Sequence, residues 1–255
     1  MDAMNSTANL MARLDHLEAE LNQLKEQHEM FPNYLSNLSH DIRTPLNAII
    51  GFAGLLAEPG VTKKEQVFYS KMIRRSSRKL LTLVSNLVDL AKLETGNLII
   101  FPQEINLIEM FEDLEDEMLE ERTIYDKDHL RLVVELPSNG LSTLESDRAR
   151  LFQILKILFD NALKYTNQGE IFLGVKQEPG HGLSIVLKDT GIGMDRETLD
   201  HLFDLFPGGH LLPGTKVKSR GLGMLVVKRL TEKMQGDLTV TSTPGKGTEV
   251  SLLFH

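Results

Sequence analysis

From Leu10 onward apolar residues recur in alternating steps of four and three: Leu10, Leu14, Leu17, Leu21 and Leu24, then Phe31, Leu35, Leu38 and Ile42, with the polar His28 alone breaking the run. This heptad register, flanked by Asp15, Glu18, Glu20 and Lys25, predicts a parallel coiled coil. At 1.5 Å per residue, positions 10 to 42 extend about 50 Å, too far for a helix lying on one small domain, so dimerisation is the expected way to bury the stripe. Pro32 interrupts the seam and predicts a kink near Met30 to Asn33. After the turn signal Glu58-Pro59-Gly60-Val61, a second amphipathic helix is predicted from about Lys63 to Leu93. Two long helices joined by a short turn make a hairpin, and two hairpins complete a four-helix bundle.

Beyond Glu94-Thr95-Gly96-Asn97 the pattern changes to an α/β alternation. Strands are predicted near 98–102, 130–135, 170–176, 183–188, 237–242 and 248–254, and helices near 106–121, 147–165, 195–204 and 222–235. The acidic run from Glu109 to Glu121 keeps Ile108, Phe111, Leu114 and Met118 at helical spacing, which favours a helix with a solvated outer face. The fold class expected is therefore α+β multidomain. Residues 1–31 form a coiled-coil signalling helix, 32–97 a helical hairpin and 98–255 an α/β sandwich.

Composition narrows the chemistry. The 255 residues carry 28 Lys and Arg against 36 Asp and Glu, a net charge of −8, which counts against a protein built to grip nucleic-acid phosphates. There is no cysteine, so thiolate nucleophiles, disulfide scaffolds and cysteine-held metals are excluded. The N-terminus has neither a basic nor an apolar signal region, and the longest nearly uncharged run, Ala48 to Ala57, is too short for a bilayer. A cytoplasmic chain, or the cytoplasmic part of a longer membrane receptor, is expected.

Five clusters carry candidate chemistry. In Ser39-His40-Asp41-Ile42-Arg43-Thr44-Pro45-Leu46-Asn47, the heptad register sets His40 at f, away from the seam. A neutral imidazole is a good nucleophile near pH 7, and Asp41 is placed to orient it and take its proton. In Asp160-Asn161-Ala162-Leu163-Lys164-Tyr165-Thr166, the Asn161 amide suits a hard cation and Lys164 suits phosphate. Asp189-Thr190-Gly191-Ile192-Gly193-Met194 offers a carboxylate beside glycines that permit close backbone approach. Gly221-Leu222-Gly223-Met224 opens a helix whose amides would suit an anion, with Lys216, Lys218 and Arg220 just before it. Gly245-Lys246-Gly247-Thr248 is the fifth. Each cluster alone also has a plain structural reading, as an exposed histidine, a strand-to-turn glycine pair or a hairpin turn. On the second helix, Lys71, Arg74, Arg75, Arg78 and Lys79 either steer an acidic partner or form an ordinary solvated basic face.

Their order and spacing over residues 31 to 255 strongly resemble a sensor histidine kinase of two-component signalling. SHDIRTPLN resembles the H box, DNALKYT the N box, DTGIGM the G1 box, Leu202-Phe203-Asp204-Leu205-Phe206 the F box, Gly221 to Gly223 the G2 box and Gly245 to Thr248 the G3 box. The resemblance implies a homodimeric phosphoacceptor hairpin joined to an ATP-binding sandwich of the kind shared with gyrase. It implies ATP and Mg²⁺ as cofactors, with His40 the acceptor, Asp41 its acid/base partner and Thr44 the holder of a hydrolytic water. Asn161 would bind Mg²⁺, Lys164 and Tyr165 line the nucleotide and Asp189 read the adenine amino group. Gly191, Gly193, Arg220, Gly221, Leu222, Gly223 and Thr248 would frame the pocket, with residues 207–220 as its lid. The implied function is ATP-dependent autophosphorylation of His40, transfer to an aspartate of a response regulator, and dephosphorylation of that regulator as a companion activity.

One departure supports a different class of function. Ile157 stands four residues before Asn161, where the family usually has a second Asn and hydrolytic relatives a glutamate that activates water. It disfavours an ATPase motor. It is also the best support for the alternative, a non-catalytic dimeric signalling scaffold whose ATP site has degenerated.

Overall fold

The computed structural model describes residues 38–136, 142–178, 182–203 and 222–255. The coiled coil expected over 1–31, the predicted lid, Arg220 and Gly221 lie outside them. Helix α1 covers 38–56 and α2 runs Lys63–Glu94, with an ordered turn between. A reciprocal capping box starts α2: the Thr62 hydroxyl accepts from the Glu65 amide, and the Glu65 carboxylate accepts from the Thr62 amide at 2.8 Å. Near that turn Phe52 stacks on Tyr69 and meets Phe68 edge-on, holding the two helices together. None of the helices among the described residues is long and apolar enough to cross a membrane.

The remaining elements follow as β1 (Gln103–Asn106), α3 (Leu107–Ile124), β2 (Arg131–Val134), β3 (Thr143–Ser146), α4 (Arg148–Tyr165), β4 (Glu170–Gln177), β5 (Leu183–Asp189), α5 (Arg196–Asp200), α6 (Gly223–Lys233), β6 (Asp237–Thr243) and β7 (Gly247–Phe254). Five strands form a mixed sheet in the order β2-β4-β5-β7-β6, with β2 and β4 parallel and the other pairs antiparallel. Helices α3, α4 and α6 bury Phe111, Leu114, Ile154, Phe159 and Leu230 against sheet residues such as Leu173, Ile185 and Leu252, all nearly inaccessible. Caps set the helix starts by satisfying orphan amides, Asn106 for α3 and Asp147 for α4.

One sequence expectation is corrected. Residues 98–102 are not a strand. Their burial alternates, with Leu98 buried and Ile99 and Phe101 exposed, but the amide of Phe101 donates to the Asp147 carboxylate at 3.0 Å and Pro102 has no amide to offer. The ribbon forms one step later, where β1 pairs antiparallel with β3, an unpredicted strand with little apolar signal. The acidic face of α3 is largely exposed, as expected, and it also carries ion pairs. Asp113 pairs with Arg148, Glu117 with Lys156, and Glu120 and Glu121 with Arg78 of the hairpin.

The junction after α2 is compact. The amides of Gly96, Asn97 and Leu98 donate back to the last turn of α2, and Leu90 and Leu98 are members of the sandwich core.

Candidate active site

The last turns of α4 bring Asn161, Lys164 and Tyr165 to the wall of a cavity of about 910 Å³. The other wall comes from the end of β5. Strand register places Asp189 directly opposite Thr248 on β7, and alternation turns both toward the helices. Asp189 is 7% exposed and accepts the Gly191 amide at 2.7 Å. Burial pushes its carboxyl above the usual carboxylate range, and the amides of Gly191 and Thr248 pull it back in part.

Glycine is required at two points. A side chain at Gly191 would meet the Tyr165 carbonyl at 2.6 Å, Asp189 Oδ1 at 2.7 Å and Thr166 Oγ1 at 2.9 Å. Gly193 has φ +63, and a Cβ there would collide with the Thr243 carbonyl. The turn is tied down on both sides. Ile192 donates its amide to the Tyr165 carbonyl, Gly245 donates to the Ile192 carbonyl at 2.7 Å, and Met194 donates to Ser242 Oγ at 2.8 Å. Ser242 also contacts Thr248 Oγ1 at 2.9 Å and donates to the Gly247 carbonyl. Ser242 went unnoticed in the sequence because a serine in an alternating strand carries no signal.

The cavity carries features that fit a nucleotide. Thr166 Oγ1 is buried beside Asp189, so a donor and an acceptor stand together next to the cavity. Leu187, Ile192, Met194, Leu202 and Val250 supply apolar lining of the kind that takes an aromatic base. Toward the other end, Leu222 caps α6 with no side-chain bond, which leaves the first amides of that helix for an anion. Gly223 packs on Ile157, whose Cγ2 lies 2.9 Å from where a Cβ would stand, so the isoleucine fills the space a polar side chain would otherwise offer. Among the described residues there is no cluster of His, Asp and Glu to cage a metal. A cation here would depend on the Asn161 amide, water and its ligand's own phosphates, a set that suits Mg²⁺.

The same cavity is closed by the hairpin. Asp41, Thr44, Pro45, Ala48 and Phe52 of α1 and Arg75, Arg78, Thr82 and Asn86 of α2 line it together with the residues above. His40 is one turn before Thr44 on α1, with its side chain 70% exposed. Its Nδ1 is 3.6 Å from Asp41 Oδ1. Thr44 donates its hydroxyl to the His40 carbonyl at 2.9 Å, and Pro45 removes the amide that would have bonded the carbonyl of Asp41. Of the fourteen candidate residues, twelve are described, and eleven of these, His40 aside, belong to or adjoin one cavity wall.

Asp160, not singled out by sequence, also lines the cavity. Its Oδ1 is buried without a hydrogen-bond partner among the described residues. Burial raises this carboxyl to about 7, Glu121 adds to the rise, and Lys156 opposes it.

A two-helix hairpin bearing an exposed histidine, closed over the nucleotide-sized cavity of a mixed-sheet sandwich, defines a phosphoacceptor unit coupled to an ATP-binding unit. Residues 33–96 match the family model for the His Kinase A (phospho-acceptor) domain, and 146–255 match that for the histidine kinase-, DNA gyrase B- and HSP90-like ATPases. The sensor histidine kinase GacS of Pseudomonas protegens is 34% identical over 243 residues, 94% of this chain and 25% of its own length. The autoinducer 2 sensor kinase/phosphatase LuxQ of Vibrio harveyi is 32% identical over 221 residues, 85% of this chain and 25% of its own. The chain thus spans about a quarter of the curated relatives it matches. Full-length ShkA, solved in complex with AMPPNP, superposes with a TM-score of 0.58 at 26% identity, covering 87% of this chain and 45% of ShkA. The chain belongs to the sensor histidine kinases.

Proposed function

We propose that this chain is an ATP-dependent protein histidine kinase. The observation that carries the reading is the shared cavity: Asp41 and Thr44 of the acceptor helix face the same space as Asn161, Lys164 and Asp189. Asp189 and Thr166 receive the adenine edge, Lys164 and the start of α6 the phosphates, and Asn161 a Mg²⁺ ion, which supplies charge neutralisation on the phosphates. Arg220 and Gly221 join this end by sequence position. Nε2 of His40 attacks the γ-phosphorus, the bond from that phosphorus to the bridging oxygen breaks, ADP leaves, and Asp41 holds the imidazole proton at Nδ1. The N–P bond then breaks as an aspartate oxygen of a response regulator takes the phosphoryl group. Catalysis of this kind is mostly positioning and charge stabilisation.

Two further points belong to the reading. Residues 32–97 act as the hairpin and 98–255 as the ATP unit, and the apolar residues exposed on α1 and α2 bind a second copy. Thr44, with its hydroxyl hydrogen committed to the His40 carbonyl, keeps lone pairs for a water that hydrolyses the regulator's phosphate.

Incubation with γ-labelled ATP should give an acid-labile label that His40→Ala abolishes. Label that survives the substitution overturns the assignment. In the same assay, Thr44→Ala should still label but should remove phosphate from the regulator several-fold more slowly.

A further inference from the structure

Three of the five residues of the basic stripe on α2 meet partners within the chain, while Arg74 and Lys79 stay exposed. Lys71 forms an ion pair with Asp126, Arg75 lies with its guanidinium carbon 4.5 Å from the Tyr125 ring centre, and Arg78 spans two carboxylates, Glu120 at 2.7 Å and Glu121 at 3.0 Å. Positions 71, 75 and 78 share one helix face. The same face continues through buried Asn86 to Asp89, which accepts from Arg150 at 2.9 Å and from Gln153 at 2.7 Å on α4. Every acidic or aromatic partner of the stripe is on the C-terminal end of α3 or just beyond it. Arg78 is the central contact, because its fork engages two carboxylates at once and the Glu121 side chain is only 7% exposed. Arg75 and Arg78 also line the cavity shared by α1 and the nucleotide residues.

We propose that Lys71, Arg75 and Arg78 are positioning residues for phosphoryl transfer: they dock the end of α3 on α2 and so hold the nucleotide residues over the acceptor helix of the same chain. These three side chains are thereby engaged within the chain, and Arg74 and Lys79 are left on the exposed side. The proposal rests on the kinase reading, and its mechanism is geometric. Small misplacements of reacting groups cost large factors in rate without altering how tightly a substrate is held.

The test compares the wild type, Arg78→Glu, and the charge swap that adds Glu120→Arg and Glu121→Arg to Arg78→Glu. Arg78→Glu should lower the rate of His40 labelling at saturating ATP by about 10- to 100-fold, with KM and nucleotide affinity nearly unchanged. The swap should restore most of the rate. A labelling rate that is unchanged or raised in Arg78→Glu overturns the proposal, as does a swapped protein that binds nucleotide normally but stays slow. Hydrogen exchange of the α3 segment from Glu117 to Asp126 is read on the same proteins, and it should speed up in Arg78→Glu and recover in the swap. If the wild type takes no label, the kinase reading fails. The exchange arm then decides alone whether the clamp exists, and unchanged exchange overturns it.

Discussion

The hairpin and the sandwich treat their apolar residues differently. In the sandwich, Leu107, Phe111, Leu151, Ile154, Leu155 and Ile185 are sealed from water by their own chain. In the hairpin, Ile50, Val67 and Leu81 are each more than 60% exposed, and Val84 and Val88 nearly half. One unit completes its core alone, and the other presents half of one. An exposed stripe of this length on paired helices is stable only when something covers it, because each covered leucine is worth about 1.5–3 kcal/mol. The division has a functional sense. On the proposed function, the unit that bears the exposed histidine is the one left for association to finish, whereas the unit that would hold a nucleotide in fixed geometry is finished by folding.

That contrast can be broken from either side. The largest effect expected is on the self-sufficient unit. Asp189→Asn keeps the shape but replaces an acceptor with a donor on the cavity floor. ATP affinity by calorimetry should fall about 1,000-fold, with the dimer intact. Val67→Asp acts on the other side. A symmetric dimer that covers this face loses two valine contacts and gains two charges, so sedimentation should show dimerisation weakened by at least about 100-fold, with nucleotide affinity retained.

The smallest effect sharpens the comparison at the border between the units. Asp160 has its folded carboxyl raised to about 7 from an ordinary 3.8, by burial first, then by Glu121 and Glu117, against Lys156 and Arg78. A raised carboxyl binds its proton more tightly in the fold. Its favourable contribution is therefore complete below pH 4 and lost as pH climbs through 7. Asp160→Asn should match the wild type near pH 4 and exceed it by about 2 kcal/mol near pH 8, allowing for partial solvent contact, as read from urea unfolding at both pH values.

Much of this was legible in the sequence, and the failures have a common cause. The long helices, the sheet strands from β4 onward and the loops at Asp189 and Gly245 follow from periodicity and turn residues. What escaped were features decided by partners distant in sequence. The strand at β3 exists because β1 pairs with it, and 98–102 has the right alternation with no neighbour to bond. The acidic run on α3 and the basic stripe on α2 carried no sign of each other, since only the fold brings Glu121 to Arg78. In the site, Asn161 and Asp189 were found through their motifs. Asp160 on the cavity wall, and Thr166 and Ser242 behind it, were missed because hydroxyls and a single carboxylate gain meaning only when burial and register bring them to a site.

The compact end of α2 has a mechanical consequence. Because Leu90 and Leu98 belong to the sandwich core and the chain folds back on the helix through Gly96 and Asn97, α2 meets the ATP unit as a shaft welded to its load rather than as a rope. A twist or tilt applied at the far end of that 32-residue helix arrives at the nucleotide floor as torque. Information from upstream could then be carried as an angle, with no need for any part of the site to unfold.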